Sequence, residues 1–452
     1  MCITADEYFN NITEGKMMKR AIFLSLSVLL TGCLNDNTSQ PDYENQLRKM
    51  RFCIDSLPDN TPSGDLPYLA GTMNSWNGGD DSSDLQNKPP MPLVRGDTAC
   101  PYFIDVNFNR VGDVHQFKFT RGSWDSEELD DEGYTIHTRR ITYEGQSKTL
   151  HFSVKKWKDL EGGAKPKPST QVGIVETHVF PTPQLTTASR TIRVYLPEGY
   201  QDSNKLYPVL YMFDGQKLFD ETTSEFGMEW QIDESMQRLI REGRAKGSIV
   251  VGIDSPNLWD DTDSDSDFSK NKNTARYREY TAWDWTLPGE GEIKSLGDKT
   301  SDFIANQVMP YIENNYRVDT SRENTSLSGS SMGGYMTLYV GTRLKEKIFN
   351  LMAFSPVAQD DPMRGYMLRD YLIQQADPDI YPQRIYMDMG GQERLGYAPE
   401  PEMLIDGMQK LCESIKTAGH KDITCKVISG GLHDEISWSH RFAEVYMATV
   451  GK

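Results

Sequence analysis

A chain of 452 residues is too long for one ordinary domain, and its 37% apolar and 10% aromatic content can supply packed cores. Its net charge of −18 is spread along the chain with no concentrated basic face, which excludes phosphate-backbone recognition and with it a nucleic-acid partner. The first element is an N-terminal segment in which Met17-Met18-Lys19-Arg20 is basic and the ten residues from Ala21 to Leu30 are mainly apolar. Such a run is too short to span a bilayer and has the layout of a secretory signal. Asp6, Glu7 and Glu14 lie ahead of it, and acidic residues are foreign to a signal n-region, so translation is expected to begin at Met17 or Met18.

The run ends in Leu30-Thr31-Gly32-Cys33, which resembles the bacterial lipobox. The resemblance implies a lipoprotein signal over residues 1–33, lipidation of Cys33 and a membrane partner reached through that anchor. The outer membrane, at its periplasmic or cell-surface face, is the expected address. Residues 34–48 are polar and aperiodic and read as a tether. Export makes disulfides available to the remaining cysteines. Pairing Cys53 with Cys100 and Cys412 with Cys425 keeps each bridge inside one domain; four free buried thiols are the other reading.

From about residue 49 to 157 short alternating runs are separated by Gly, Pro, Asp and Asn: Tyr68 to Ala70, Tyr102 to Val106, Gln116 to Phe119 and Leu150 to Val154. That rhythm predicts a small antiparallel β-sandwich. The segments Leu69 to Asn77 and Phe117 to Trp124 resemble landmarks of starch- and glycogen-binding modules. The resemblance offers Trp76 and Trp124 as rings that stack on a sugar; core or inter-domain packing is the alternative use of a tryptophan here. A linker is expected over residues 158–172, where Leu160 to Ser169 is rich in Gly and Pro.

Residues 173–452 change period. Apolar, β-prone runs at Thr191 to Leu196, Val209 to Phe213, Ile249 to Ile253, Thr325 to Leu327, Asn350 to Phe354, Arg384 to Met389 and Thr424 to Ile428 alternate with helical patterns. This is a βαβ series around a mostly parallel sheet, an α/β architecture. One helix is marked by Leu404, Met408, Leu411 and Ile415 on a single face, closed by Gly419.

Chemistry concentrates at Gly329-Ser330-Ser331-Met332-Gly333, a G-x-S-x-G set between a strand and a helix. A serine on so sharp a turn needs neighbours without side chains, and the helix that follows directs N–H groups at a developing oxyanion. Serine also needs a base. Of the histidines beyond Ser331, His420 closes a helix and His440 lies inside one, whereas His433 follows the last strand in Gly430-Gly431-Leu432-His433 and is the expected base. The acid should follow the preceding strand: Glu393 in its loop leads, with Asp388 inside the strand as the reserve.

Tyr211 to Gln216, Val251 to Asp254, Gly329 to Gly334 and Gly430 to His433 together resemble the putative-esterase family, which includes feruloyl esterases, enterochelin esterases, S-formylglutathione hydrolase and mycolyltransferases. The resemblance spans residues 173 to 450. It implies an α/β-hydrolase fold, a Ser-acid-His triad, no cofactor, oxyanion donors at the backbone of Gln216 and Met332, and a small-molecule or saccharide ester as partner. The departure is Glu393, where carbohydrate-esterase relatives usually carry aspartate. Trp283 and Trp285, in the long insertion after Asp254, are candidates for contact with a ring-bearing substrate or for packing. Asp260 to Asp267 has Asp at alternate positions, but Ser266 and Lys272 stand where an EF-hand needs Gly and Glu, so it reads as a solvated loop, with a loose calcium site as the other reading and no metal among the expected site residues.

Overall fold

The computed structural model describes residues 48–74, 76–79, 88–108, 110–224, 227–256, 274–287, 291–357, 365–375, 377–395 and 400–451. The signal segment, Cys33, the tether up to residue 47 and the Asp260 to Asp267 loop lie outside them. Among the described residues no helix is long and apolar enough to cross a membrane.

The N-terminal module is built from β1 (Arg48–Ser56), β2 (Tyr68–Gly71), β3 (Val94–Asp97), β4 (Cys100–Phe108), β5 (Val114–Thr120), β6 (Glu128–Leu129), β7 (Arg139–Thr142), β8 (Lys148–Ser153) and β9 (Lys156–Trp157). One sheet runs β3-β4-β1-β8 and another β2-β5-β7. Phe52, Ile54, Leu69, Phe117 and Phe119 form their shared core. The module departs from a purely antiparallel sandwich at one place, because β1 and β8 pair in parallel, Phe52 opposite Leu150. Parallel neighbours need a long connection, and here the whole module supplies it. Cys53 is bonded to Cys100 across β1 and β4.

The expected linker is not free of structure. Asp159–Glu161 forms a single 3-10 turn, and the stretch beyond is tacked to the hydrolase part through Lys167 on Glu221 (3.2 Å) and Thr170 on Glu229 (2.7 Å).

The second body is an eight-stranded sheet of β10 (Ile174–Pro181), β11 (Ser189–Leu196), β12 (Val209–Phe213), β13 (Ile249–Ile253), β16 (Thr325–Ser330), β17 (Asn350–Phe354), β18 (Arg384–Gly390) and β19 (Ile423–Ile428), in the order β10-β11-β13-β12-β16-β17-β18-β19. The hairpin β14 (Trp285–Leu287) and β15 (Gly291–Ile293) stands apart from it. β10 and β11 are antiparallel and the six strands from β13 onward in that order are parallel. Around it lie α1 (Ile232–Arg241), α2 (Thr274–Glu279), α3 (Gly297–Phe303), α4 (Met309–Asn315), α5 (Met332–Arg343), α6 (Gly365–Gln375), α7 (Pro401–Thr417) and α8 (Glu435–Thr449). β12 shows why both faces must be covered: Val209, Tyr211 and Phe213 enter one core while Leu210 and Met212 enter the other. A second disulfide, Cys412–Cys425, ties α7 to β19.

Candidate active site

The parallel strands all end on one edge, and the loops leaving that edge converge. β16 delivers Ser331, held at φ 56° and ψ −123°, a conformation that costs a residue with a Cβ strain energy. Its N–H donates to the Phe354 carbonyl at 3.0 Å. The flanking glycines explain how so tight a turn closes: a Cβ on Gly329 would sit 2.6 Å from the Gly333 carbonyl oxygen, and one on Gly333 would press on Phe213. Met332 opens α5, whose first intrahelical bond runs from the Tyr335 N–H to the Ser331 carbonyl, so the Met332 N–H has no carbonyl within the helix.

His433 Nε2 lies 2.9 Å from Ser331 Oγ and Nδ1 lies 2.8 Å from Glu393 Oε2. Histidine and serine are half-buried, while Glu393 is wholly buried. The other oxygen of Glu393 accepts from Ser355 Oγ (2.5 Å) and from the Gly390 N–H (2.6 Å). The two loops are laced together by the Gly391 N–H on the Ile428 carbonyl and the Gln392 N–H on the Gly431 carbonyl, at 2.7 and 3.0 Å. Asp388, the reserve acid, does not reach the histidine in this arrangement. It is buried against Arg441, which donates from Nε at 2.7 Å and Nη2 at 3.0 Å, and against the Tyr386 hydroxyl at 2.9 Å. Burial pushes the Asp388 carboxyl up, and the Arg441 charge and hydrogen bonds oppose that rise.

Ser355, Trp438 and Arg441 were not legible as site residues. Ser355, at φ 42°, takes hydrogen bonds from Trp438 Nε1 (2.9 Å) and Arg441 Nη2 (3.1 Å) while donating to Glu393. The Trp438 ring stands edge-on to His433 at 5.1 Å. The available signal was position: Ser355 follows β17 at the same edge as the other site residues.

The loop after β12 carries Gln216, whose side chain is fixed by Ser255, donating to Oγ at 2.7 Å and accepting from the N–H at 3.0 Å. Asp214 precedes it in the left-handed region and is clamped by Arg276 at 2.9 and 2.8 Å. Burial would raise the Asp214 carboxyl, but the Arg276 charge and hydrogen bonds hold it below the usual carboxylate range. Trp283 packs against Tyr339 of α5 and Tyr371 of α6, with centroids 5.5 and 5.7 Å apart. Trp285 opens β14, and its side chain lies outside the described set. Trp76 and Trp124 are half-buried against one another at 6.3 Å, and the structure does not bring them to Ser331.

A buried acid, a histidine and a strained serine at the ends of the parallel strands β18, β19 and β16 define an α/β-hydrolase. The family profile described as "Putative esterase" matches residues 184–448, more than half of the chain, and the chain belongs to that family. Among curated proteins it is 36% identical to an α-amylase of Niallia circulans over 104 residues, 23% of this chain and 7% of that one. It is 25% identical to the uncharacterized protein YbbA of Bacillus subtilis over 161 residues, 33% of this chain and 50% of that one. The chain thus spans half or less of the length of these relatives. Of solved structures, the enterobactin esterase of Shigella flexneri aligns with a TM-score of 0.51 at 13% identity, over 85% of this chain and 87% of that one, a likeness of fold.

Proposed function

We propose that the chain is an exported, lipid-anchored serine esterase that cleaves carbohydrate-linked feruloyl or acetyl esters through an acyl-enzyme. The observation that carries the chemistry is the unbroken line Glu393–His433–Ser331 at 2.8 and 2.9 Å, ending on a serine at φ 56°. Ser331 Oγ attacks the ester carbonyl and gives its proton to His433 Nε2, while Glu393 stabilises the imidazolium from Nδ1. The backbone N–H groups of Met332 and Gln216 receive the oxyanion. Collapse expels the alcohol, which takes the proton from His433; a water then attacks the acyl carbonyl while giving its proton to the same nitrogen, and the second collapse breaks the bond to Ser331 Oγ, releases the acid and returns that proton to the serine.

Turnover of p-nitrophenyl acetate, with labelling by a fluorophosphonate, tests this. Ser331→Ala is expected to lower kcat by at least about 10³-fold and abolish labelling; a variant that keeps wild-type turnover sinks the assignment. The preference for saccharide esters draws on the α-amylase likeness and on the Trp76/Trp124 pair. A siderophore ester is the second reading, favoured by the alignment with the enterobactin esterase over 85% of the chain, which extends beyond the esterase profile. Feruloyl, acetyl and siderophore esters compared side by side separate the two. Glycan retention that survives Trp76→Ala and Trp124→Ala would remove those rings from the binding account. Export and anchoring draw on Met17 to Cys33, and Cys33→Ala should abolish incorporation of labelled fatty acid.

A further inference from the structure

The N-terminal module touches the hydrolase body next to two residues of the triad. Beyond His433, Asp434 caps α8, its Oδ1 accepting the Ser437 N–H at 2.7 Å. Its other oxygen accepts from two module side chains, Gln116 Nε2 at 2.7 Å and Arg140 Nη2 at 2.9 Å. These donors come from directly opposed residues of β5 and β7. The Asp434 side chain is only 5% exposed, so the contact is desolvated on its acidic side. Beyond Glu393, Arg394 forms an ion pair with the buried Asp113 of the module at 2.6 Å.

An N-cap carboxylate needs one oxygen for its helix. At Asp434 the second oxygen is spent on the module, and the acid loop is gripped at the equivalent place. Local bonds tie the His433 segment to α8 through the Leu432 N–H on Ser437 Oγ (2.8 Å), Asp434 on Ser437 and the Trp438 N–H on the Asp434 carbonyl (3.1 Å), and to the acid loop through the Gln392 N–H on the Gly431 carbonyl (3.0 Å). The module adds an attachment from a separate rigid sheet. A further bridge, Lys217 on Glu435 at 3.0 Å, connects the Gln216 loop to the same segment.

We propose that the module is a positioning part of the catalytic site, with Gln116, Arg140 and Asp113 as positioning residues that hold the His433 and Glu393 loops at hydrogen-bonding distance from each other. The inference rests on the esterase reading above. In that view the module acts on turnover of any ester, including one without a sugar.

The full chain tests it with p-nitrophenyl acetate, an ester that offers the module nothing to bind. Gln116→Ala with Arg140→Met is expected to lower kcat by about ten- to a hundred-fold, because small misplacements of reacting groups are costly, while KM stays within about twofold. Arg140→Lys, which keeps the charge, should recover part of kcat. Asp113→Ala and Arg394→Ala should each lower kcat, and the double variant should lose less than the sum of the single losses in free energy. Near-ultraviolet circular dichroism and the unfolding midpoint establish that each variant is folded. Folded variants with wild-type kcat overturn the inference, as does an effect confined to KM for saccharide esters. A wild-type chain that neither turns over esters nor labels at Ser331 overturns the esterase reading itself, and this inference with it.

Discussion

Two groups of buried carboxylates in the hydrolase body meet desolvation in opposite ways. At the strand ends, Glu393 and Asp388 are wholly buried, yet they are surrounded by donors: Ser355, the Gly390 N–H, His433, Tyr386 and Arg441. At the start of α1, carboxylate oxygens of Glu229, Asp233 and Glu234 lie within 4.8 Å of one another, and the first two side chains are buried. Among the described residues no Lys or Arg forms an ion pair with them, and one oxygen of each meets no donor from outside the group. Burial and the acidic neighbours push Glu229 up to about 7 and hold Asp233 well above the carboxylate range. Burial of charge therefore does not by itself mark chemistry. The site is distinguished by donors that fix a buried acid against a histidine, whereas Glu229 and Asp233 meet the cost of burial by holding protons.

The comparison breaks first at Arg441. Arg441→Ala leaves Asp388 buried without its cation, and the loss of one partner of a buried pair costs about 3–5 kcal/mol. Urea unfolding at neutral pH should show it. Little change would mean that the donors of Asp388 are redundant and that the contrast between the two groups is false.

The α1 group predicts a pH dependence of opposite origin. The folded-state pKa values of Glu229 and Asp233 are raised, so their contribution to stability is complete below the unfolded carboxylate pKa near 4 and is lost as pH rises through about 7 and beyond. For Glu229, moving from an ordinary 4.5 to about 7 corresponds to about 3 kcal/mol at full ionisation. Unfolding free energy should decline between pH 5 and pH 8, and Asp233→Asn should flatten that decline. A wild-type profile already flat over the range would show that the group carries no extra protons.

Legibility followed the same division between local pattern and long-range contact. Val209 to Phe213, Ile249 to Ile253 and Asn350 to Phe354 were readable as strands to the residue, because a strand buried on both faces is a continuous apolar run. β10 was not, since an exposed edge strand such as Ile174–Pro181 mixes Glu176, Thr177 and His178 into its pattern. Nor could the parallel pairing of β1 with β8 be read, because side chains alternate with period two in either direction. Ser331, Glu393 and His433 each follow a recognisable strand, and the structure brings them together. Ser355 and Arg441 have no such mark: their parts come from contacts with Glu393 and Asp388, 38 and 53 residues distant.

Ser355→Ala tests that hidden layer. The serine donates to Glu393 and accepts from Trp438 and Arg441, so its removal orphans buried groups and should cost about 1–3 kcal/mol. A lower unfolding midpoint together with a lower kcat is expected. Lowered stability with unchanged kcat would make Ser355 a packing residue only.

The smallest effect is expected at the acid itself. Glu393 spans from the Gly390 N–H on one oxygen to His433 on the other, at 2.6 and 2.8 Å. Glu393→Asp removes one methylene while the backbone stays fixed by the Gly390 and Gly431 loops, where a Cβ on Gly390 would already meet the Gly431 carbonyl at 2.4 Å. The shorter carboxylate can hold one of these partners but not both. If it keeps the backbone N–H, the bond to His433 lengthens and kcat falls by about tenfold, near 1.4 kcal/mol. Should Glu393→Asp keep full activity, the loop is looser than its hydrogen bonds imply, and the contrast between a rigid donor-filled site and a proton-filled one would have to be drawn at Asp388 alone.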